Sequence, residues 1–176
     1  SVGTSLVDMY AKCGALLRAR EVFDELPFQD AISWNALIAG YAQHGHGEEA
    51  LKYYREMRCQ GFSPTPTTFV CTLKACGNMG SMDIGHEIHA EIIKNGLVKI
   101  NVLVGTTLVD MYAKCGALAK AQEVFNELVD RDLVAWNALL AGYAQLGQFE
   151  IVFDSLTKMI REGSEPDGFT FSILLN

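Results

Sequence analysis

SLVDMYAKCGAL at residues 5–16 occurs again, with one change, as TLVDMYAKCGAL at residues 107–118. The separation of 102 residues holds elsewhere in the chain, because WNALIAGYAQ at 34–43 recurs as WNALLAGYAQ at 136–145. A long duplication at a fixed spacing is the signature of a repeat array. We therefore expect each duplicated stretch to belong to a structural unit that is stacked several times.

Each duplicated segment carries apolar residues at helical spacing, interrupted by glycine. In the first copy Leu6, Val7 and Tyr10 form one apolar stripe, and a second stripe begins after Gly14 and ends before Pro27. This pattern predicts a helix–turn–helix hairpin. The same alternation along the whole chain predicts about eleven helices, in five hairpins and one half hairpin.

The third hairpin is predicted to turn between Gly77 and Gly80, and its second helix to end at Gly96. A lone hairpin cannot bury its apolar stripe, whereas stacked neighbours can. The predicted fold class is therefore all-α, an α-solenoid superhelix of stacked helix–turn–helix repeats. Trp34 and Trp136 fall on these stripes and are predicted to lie in the core between helices.

Charge and composition argue against several classes of protein. The net charge of −7 disfavours a non-specific nucleic-acid binder, which normally carries a basic surface. No apolar run reaches the roughly 18 residues of a membrane span, and the first residues match neither a signal peptide nor a transit peptide. Since the repeat pattern is under way at both ends, the chain is predicted to be a segment of a longer protein. The odd number of cysteines, without a CxxC pair, predicts reduced thiols at Cys13, Cys59, Cys71, Cys76 and Cys115.

Motifs of catalysis are incomplete in this chain. His89 and Glu91 form an H-x-E sequence, the first half of a zinc deaminase signature, but the second half, P-C-x-x-C, is missing. His86 lies one helical turn from His89, without a third metal ligand to accompany them. No P-loop, dinucleotide fingerprint or Ser/His/Asp arrangement occurs. The sequence therefore predicts no enzyme activity, no metal and no cofactor.

Three kinds of segment alternate along the chain and together resemble the pentatricopeptide repeat (PPR) family, in particular its plant subclass with short, standard and long repeats. The short repeat is represented by VDMYAKCGAL with AREVFDELP, the standard repeat by SWNALIAGYAQHGHGEEALKYYREM, and the long repeat by FVCTLKACGNMGSMDIGHEIHAEIIKNG. The resemblance covers the whole chain. It implies short repeats at 1–30 and 102–132, standard repeats at 31–65 and 133–167, a long repeat at 66–101, and the start of another at 168–176.

The resemblance implies that the chain binds single-stranded RNA with one nucleotide per repeat, and that the fifth and last residues of each repeat select the base. These pairs are Thr4 with Asp30, Asn35 with Thr65, Val70 with Asn101, Thr106 with Asp132, and Asn137 with Asp167, and Ser172 begins an incomplete sixth. In this family threonine with aspartate is associated with guanine, and asparagine with aspartate is associated with uracil. The implied target is G–Y–N–G–U, read 5′ to 3′, because Thr65 leaves only a pyrimidine preference and Val70 cannot form hydrogen bonds.

The same resemblance assigns two further sets of contacts. The second residue of each repeat would pack against bases, and these residues are Ile32, Thr67, Leu103, Val134 and Phe169. Lys12 and Lys114, near the ends of equivalent first helices, would neutralise phosphates. Simpler roles stay open for each set. The threonines and asparagines can make only local bonds at helix starts, the aspartates can cap the following helix, and the lysines can be solvated.

By the same resemblance, the chain is the targeting segment of an organellar RNA-processing factor, in chloroplast or mitochondrion, that directs C-to-U editing. The alternative is a protein-binding scaffold that docks an accessory editing factor at the long repeat, which the acidic charge favours. RNA binding is compatible with that charge if the acidic side chains lie away from the RNA. Many belong to second helices, which are expected to lie outside: Glu21, Glu48, Glu49, Glu123 and Glu127. The sequence leaves the oligomeric state open.

Overall fold

The computed structural model describes residues 2–175, and this range contains twelve α-helices joined by turns. The helices are α1 (Val2–Lys12), α2 (Leu16–Asp24), α3 (Ala31–Gln43), α4 (Gly47–Cys59), α5 (Pro66–Met79), α6 (Met82–Lys94), α7 (Leu97–Ile100), α8 (Val102–Lys114), α9 (Leu118–Glu127), α10 (Leu133–Gln145), α11 (Phe149–Arg161) and α12 (Gly168–Leu175). The predicted all-α class is confirmed. No helix in the described range combines the length and the hydropathy needed to cross a bilayer.

Two details of the third hairpin differ from the sequence prediction. The predicted turn at Gly77 is wrong, because α5 continues to Met79 and the chain leaves the helix at Gly80 with a left-handed φ of 66°. An interior glycine destabilises a helix by only about 1 kcal/mol relative to alanine, and burial of the neighbouring Ala75 and Cys76 offsets that loss. The predicted count of eleven also misses α7, a single turn that is too short to produce a helical period in the sequence.

The helices form two compact units, of which the first ends at Met79 and the second begins at Gly80. In the first unit α3 contacts both α1 and α5, while α2 and α4 each contact the first helix of the next hairpin. In the second unit α10 contacts both α8 and α12, and α9 contacts α10. Within each unit a hairpin therefore buries its apolar stripe against its successor, as the stacking argument requires.

The two tryptophans occupy equivalent places in the core. Trp34 on α3 and Trp136 on α10 are each 1% exposed. Each indole meets a phenylalanine of the preceding helix edge-on, with ring centroids 4.6 Å apart, and these partners are Phe23 and Phe125. Edge-to-face pairs of this kind stabilise a core beyond the burial of their area. The prediction that both tryptophans are core residues is confirmed.

Candidate nucleic-acid interface

The last residue of a predicted repeat stands immediately before the first helix of the next one and caps it. Asp30 Oδ1 accepts from the N–H of Ser33 at 2.8 Å, and Ser33 Oγ accepts from the N–H of Asp30 at 3.0 Å, which forms a reciprocal capping box. Asp132 Oδ1 accepts from the N–H of Ala135 at 2.8 Å, and Asn101 caps α8 in the same manner at 3.1 Å. The capping role that the sequence left open is therefore present.

The capping bonds also favour the ionised form of two aspartates. The N–H of Ser33 holds the pKa of Asp30 below its usual value. The N–H of Thr170, together with its hydroxyl, likewise holds the pKa of Asp167 below its usual value. Both carboxylates are therefore charged at neutral pH, where they lie at the positive ends of helices and act only as acceptors.

Two of the predicted base-reading pairs are in direct contact. Thr106, buried on α8, donates its hydroxyl to Oδ1 of Asp132 at 3.2 Å. Asn137, buried on α10, donates from Nδ2 to Oδ1 of Asp167 at 3.3 Å. Oδ2 of each aspartate has no hydrogen-bond partner among residues 2–175. Each pair therefore keeps one carboxylate oxygen available to a ligand.

The second repeat lacks this direct contact because Thr65 stands where the fifth repeat has Asp167. Thr68 lies between the two predicted residues instead. Its hydroxyl donates to Oδ1 of Asn35 and lies 3.1 Å from Oγ1 of Thr65. Thr65 caps α5 with a longer bond, 3.4 Å from the N–H of Thr68. Asn35, Thr65 and Thr68 thus form a neutral cluster without a carboxylate.

Sequence reasoning missed two threonines of this interface, Thr68 and Thr170. Thr170 is fully buried, and its Oγ1 lies 2.7 Å from Oδ1 of Asn137 and 2.8 Å from Oδ1 of Asp167. Both threonines stand three residues after a capping residue and accept its backbone N–H. The spacings T-x-x-T and D-x-x-T were the available signal. Nothing in the sequence alone connects that spacing with an asparagine 33 residues earlier.

The remaining fifth-position residues differ in burial. Thr4 is buried on α1. Val70 is buried on α5 and carries no hydrogen-bonding atom in its side chain. Ser172 on α12 is exposed and donates its hydroxyl to the carbonyl oxygen of Phe169 at 2.7 Å. The third repeat therefore has no polar group at the position where the second and fifth repeats have asparagine.

The second residues of the repeats lie in the first turns of the first helices and are exposed. The four apolar ones, Ile32, Leu103, Val134 and Phe169, are between 58% and 67% exposed, and Thr67 is exposed as well. Their exposure contrasts with the burial of Thr106 and Asn137 three residues after Leu103 and Val134. Four of these first turns thus present an apolar side chain to solvent beside a capping group, and the first turn of α5 presents Thr67.

Lys12 and Lys114 are each paired with an aspartate four residues earlier. Nζ of Lys12 lies 2.6 Å from Oδ2 of Asp8, and Nζ of Lys114 lies 2.7 Å from Oδ2 of Asp110. Exposed pairs of this kind contribute at most about 1 kcal/mol. The pairing lowers the local positive potential, but a phosphate could replace the aspartate at a small energetic cost.

The H-x-E sequence has a packing role in this structure. His89 is buried on α6, and its Nδ1 shares a 2.8 Å hydrogen bond with the hydroxyl of Tyr112. Burial lowers the pKa of His89 and raises the pKa of Tyr112 to about 12. His86 lies against the same tyrosine ring, with centroids 5.4 Å apart. Within residues 2–175, no three His, Cys, Asp or Glu side chains are grouped closely enough to hold a metal ion.

Family profiles match most of the chain. The PPR repeat family matches residues 29–78 and 131–176, and a second profile, the PPR repeat, matches residues 4–27 and 106–133. A chloroplastic pentatricopeptide repeat-containing protein of Arabidopsis thaliana is 44% identical over 99% of this chain and 28% of its own length. A putative mitochondrial one from the same plant is 39% identical over 100% of this chain and 28% of its own. The chain thus spans a little over a quarter of the length of these curated relatives.

Two solved structures that share the fold contain RNA. PPR10 in complex with an 18-nt psaJ RNA element superposes with a TM-score of 0.84 at 25% identity, over 98% of this chain and 26% of that one. The PPR domain of Arabidopsis thaliana protein-only RNase P 1, in complex with tRNA, gives a TM-score of 0.72 at 16% identity, over 96% of this chain and 92% of that one. These likenesses confirm the predicted α-solenoid class. Given the profile matches and the stacked hairpins, this chain belongs to the pentatricopeptide repeat family.

Proposed function

We propose that this chain binds single-stranded RNA and reads one base per repeat, with the target G–Y–N–G–U in 5′ to 3′ order. The observation that carries the proposal is the direct pairing of Thr106 with Asp132 and of Asn137 with Asp167, in which each carboxylate keeps an unpaired oxygen. The RNA complexes of PPR10 and of the protein-only RNase P 1 domain support an RNA ligand for this fold.

The unpaired carboxylate oxygens suit bases that carry a ring N–H. Guanine N1–H or uracil N3–H can donate to Oδ2 of Asp132 or Asp167, whereas adenine N1 and cytosine N3 present a lone pair there. Beside Asp132, the hydroxyl oxygen of Thr106 can also accept from the exocyclic amine of guanine. Beside Asp167, the second N–H of Asn137 can donate to a carbonyl oxygen of uracil. This chemistry favours guanine at the fourth repeat and uracil at the fifth.

The exposed apolar residues complete the proposed site by contacting the faces of the bases. Val134 stands two residues after Asp132, and Phe169 stands two residues after Asp167, so each is close in sequence to a carboxylate that reads a base edge. Stacking of a base on an aromatic ring contributes roughly 1–3 kcal/mol and tolerates any base. Phe169 is therefore expected to strengthen binding without changing its specificity.

The acidic balance limits the expected strength of binding. The chain carries a net charge of −7, and the two proposed phosphate contacts, Lys12 and Lys114, already face aspartates. Each phosphate that a lysine neutralises steepens the dependence of affinity on salt. With few such contacts, this chain should bind RNA weakly and with a shallow salt dependence.

We further propose that the chain is the address segment of an organellar factor that directs C-to-U editing. The chloroplastic and mitochondrial relatives support an organelle. The order of short, standard and long sequence motifs supports the plant subclass with alternating repeats. In this role the repeats choose the transcript, and the chemistry takes place elsewhere.

A protein partner at the third repeat is a second candidate function. The observation that favours it is Val70, which is buried and apolar at the position where a base-reading repeat has a polar side chain. A repeat that selects no base is free to serve another contact. On this reading an accessory editing factor binds at the long repeat while the other repeats bind RNA.

Fluorescence anisotropy with labelled RNA tests the base-reading proposal. The chain should bind an RNA that contains GUAGU about tenfold more tightly than the same RNA with base four changed to adenine, since one good base contact contributes about 1–3 kcal/mol. Asp132→Asn should remove that preference. Asp154→Asn makes the same charge change at an exposed position on α11 and should leave the preference intact. Equal binding of all these RNAs by the unaltered chain would overturn the proposal.

A further inference from the structure

Two buried threonine hydroxyls lie against the asparagines proposed to read the second and fifth bases. Thr68 and Thr170 are 1% and 0% exposed. The hydroxyl of Thr170 lies 2.7 Å from Oδ1 of Asn137, and the hydroxyl of Thr68 donates to Oδ1 of Asn35. Each threonine oxygen also accepts the backbone N–H of its capping residue. The distance is 3.0 Å from Thr65 to Thr68 and 3.1 Å from Asp167 to Thr170. In both contacts the hydroxyl is the donor and the amide oxygen is the acceptor, so the end of the amide that faces the threonine is the oxygen.

This orientation turns each amide nitrogen away from the threonine. Nδ2 of Asn35 has no hydrogen-bond partner among residues 2–175, and Nδ2 of Asn137 uses one N–H on Asp167 at 3.3 Å. At least one N–H of each asparagine thus stays available. Uracil and cytosine both carry a carbonyl oxygen, O2, that accepts from such a donor. A reversed amide would present an oxygen to O2 and repel it.

Repeats whose fifth residue is threonine have a different arrangement at the equivalent place. After the first repeat, the position equivalent to Thr68 and Thr170 is occupied by Ser33, whose hydroxyl donates to the carbonyl oxygen of Asp30 at 2.9 Å. After the fourth repeat, it is occupied by Ala135, which has no hydroxyl. A threonine hydroxyl can rotate to donate or accept, whereas an amide has two chemically different ends that must be oriented. In the described range, the contact thus coincides with asparagine at the fifth position.

We propose that Thr68 and Thr170 are positioning residues that fix the amides of Asn35 and Asn137 so that an N–H, and not the oxygen, faces the base, which makes the second and fifth repeats select pyrimidines. This inference rests on the proposed function, because it assumes that these asparagines meet bases. The two threonines are expected to contribute unequally to the orientation of their amides. In the fifth repeat the Asp167 carboxylate also opposes a reversed amide, since two acceptor oxygens would then face each other. In the second repeat no carboxylate is present, so Thr68 acts alone.

Valine and serine substitutions separate the hydroxyl from the shape of the side chain. Thr68→Val and Thr170→Val remove the hydroxyl at nearly constant volume, and Thr68→Ser and Thr170→Ser retain it. Anisotropy would measure binding to GUAGU RNA and to RNAs with base two or base five changed to C, A or G. Thr68→Val should lower the preference for pyrimidine over purine at base two by about three- to tenfold, with preferences at bases one and four unchanged. Thr170→Val should have a smaller effect at base five, and both serine variants should behave as the unaltered chain.

The outcomes separate this inference from the function on which it rests. An unaltered chain without any base preference would overturn the proposed function. A chain that discriminates bases but keeps its pyrimidine preference in Thr68→Val, or that loses affinity for every RNA equally, would overturn the positioning role alone. NMR of the side-chain amides gives a readout without RNA, because Thr68→Val should shift the Asn35 amide resonances and leave those of Asn137 in place. If Thr68→Val does not fold in a thermal melt, Thr170→Val carries the same test at base five.

Discussion

The second and fifth repeats share a scaffold and differ in the group proposed to meet RNA. On α3 and α10 an equivalent tryptophan meets a phenylalanine ring at the same 4.6 Å, and each helix carries an asparagine, Asn35 or Asn137, in its second turn. The capping residues differ, because Thr65 is neutral with a bond of 3.4 Å, and Asp167 is a carboxylate with a bond of 2.8 Å. Packing and recognition therefore reside at different positions of a repeat, and one can change while the other stays.

Removing the shared tryptophan should have the largest effect. Trp34→Ala and Trp136→Ala should each lower the free energy of unfolding by about 3–5 kcal/mol, because each empties a fully packed site. Trp34→Ala should lose more, by up to about 1 kcal/mol, since the ring of Tyr53 also lies 6.5 Å from Trp34, where the fifth repeat has Ser155. Urea unfolding followed by circular dichroism measures both losses. A loss below 1 kcal/mol at either site would show that the tryptophans are not equivalent core residues.

Alanine substitutions at the equivalent glycines Gly40 and Gly142 should change the stability of the second and fifth repeats by different amounts. A Cβ on Gly40 would lie 2.6 Å from Cβ and 3.1 Å from Cα of Ala11, whose backbone cannot move easily. A Cβ on Gly142 would lie 2.5 Å from Cδ2 of Leu118, the end of a flexible side chain, and 3.3 Å from Cβ of Ala113. Gly40→Ala should therefore destabilise the chain by about 1–3 kcal/mol. Gly142→Ala should be nearly neutral, because the gain in helix propensity of about 1 kcal/mol offsets the strain.

A double variant provides the control for the glycine comparison. Ala11→Gly removes the methyl group that the new Cβ of Gly40→Ala would meet. In a double-mutant cycle the two changes should be coupled, with the pair less destabilised than the sum of the single variants. Thermal melts of the four proteins give the coupling energy. Additive losses would mean that the contact between α1 and α3 is not the cause.

Exchanging the capping residues should exchange base preference between the repeats. Thr65→Asp supplies a carboxylate that accepts the N3–H of uracil and repels the N3 lone pair of cytosine, so base two should come to favour uracil over cytosine by about tenfold. Asp167→Thr should remove the same discrimination at base five. Anisotropy with RNAs that carry U or C at these bases measures both effects. Thr65→Ser, which keeps a neutral hydroxyl, should retain binding to either pyrimidine, and a uracil preference in that variant would contradict the role of the carboxylate.

The fold was predictable from the sequence because it depends on apolar periodicity and on glycines at turns, both of which are local. The near-identical segments that recur 102 residues apart made stacking predictable as well. The turn at Gly77 was misplaced because an isolated glycine does not reveal whether its neighbours are buried. Ala75 and Cys76 are buried, and that tertiary packing keeps α5 helical.

The sequence singled out the paired residues of the candidate site, but neither their bonds nor the two threonines Thr68 and Thr170. The resemblance to PPR repeats singled out Thr106, Asp132, Asn137 and Asp167, and the structure brings each pair together. The role of Thr170 depends on a contact with a side chain 33 residues earlier, which arises only when α10 packs against α12. The D-x-x-T spacing at a helix start can therefore identify the cap, but it cannot identify the distant asparagine that Thr170 contacts.

The smallest expected effect is a difference at acid pH between the helices capped by aspartate and the helix capped by threonine. The folded pKa of Asp30 and of Asp167 lies below the ordinary value near 4, so these carboxylates stabilise the fold fully above about pH 4, and the stabilisation is lost as the pH falls through the lower folded value. Thr65, which caps α5, does not titrate. The protection of the first-turn amides against hydrogen exchange, measured relative to their intrinsic rates at each pH, should therefore fall on acidification at the starts of α3 and α12, beyond any change at the start of α5. Asp30→Asn and Asp167→Asn should abolish that pH dependence at their own helices only, and a parallel loss of protection at α5 would assign the acid effect to global unfolding instead of to the caps.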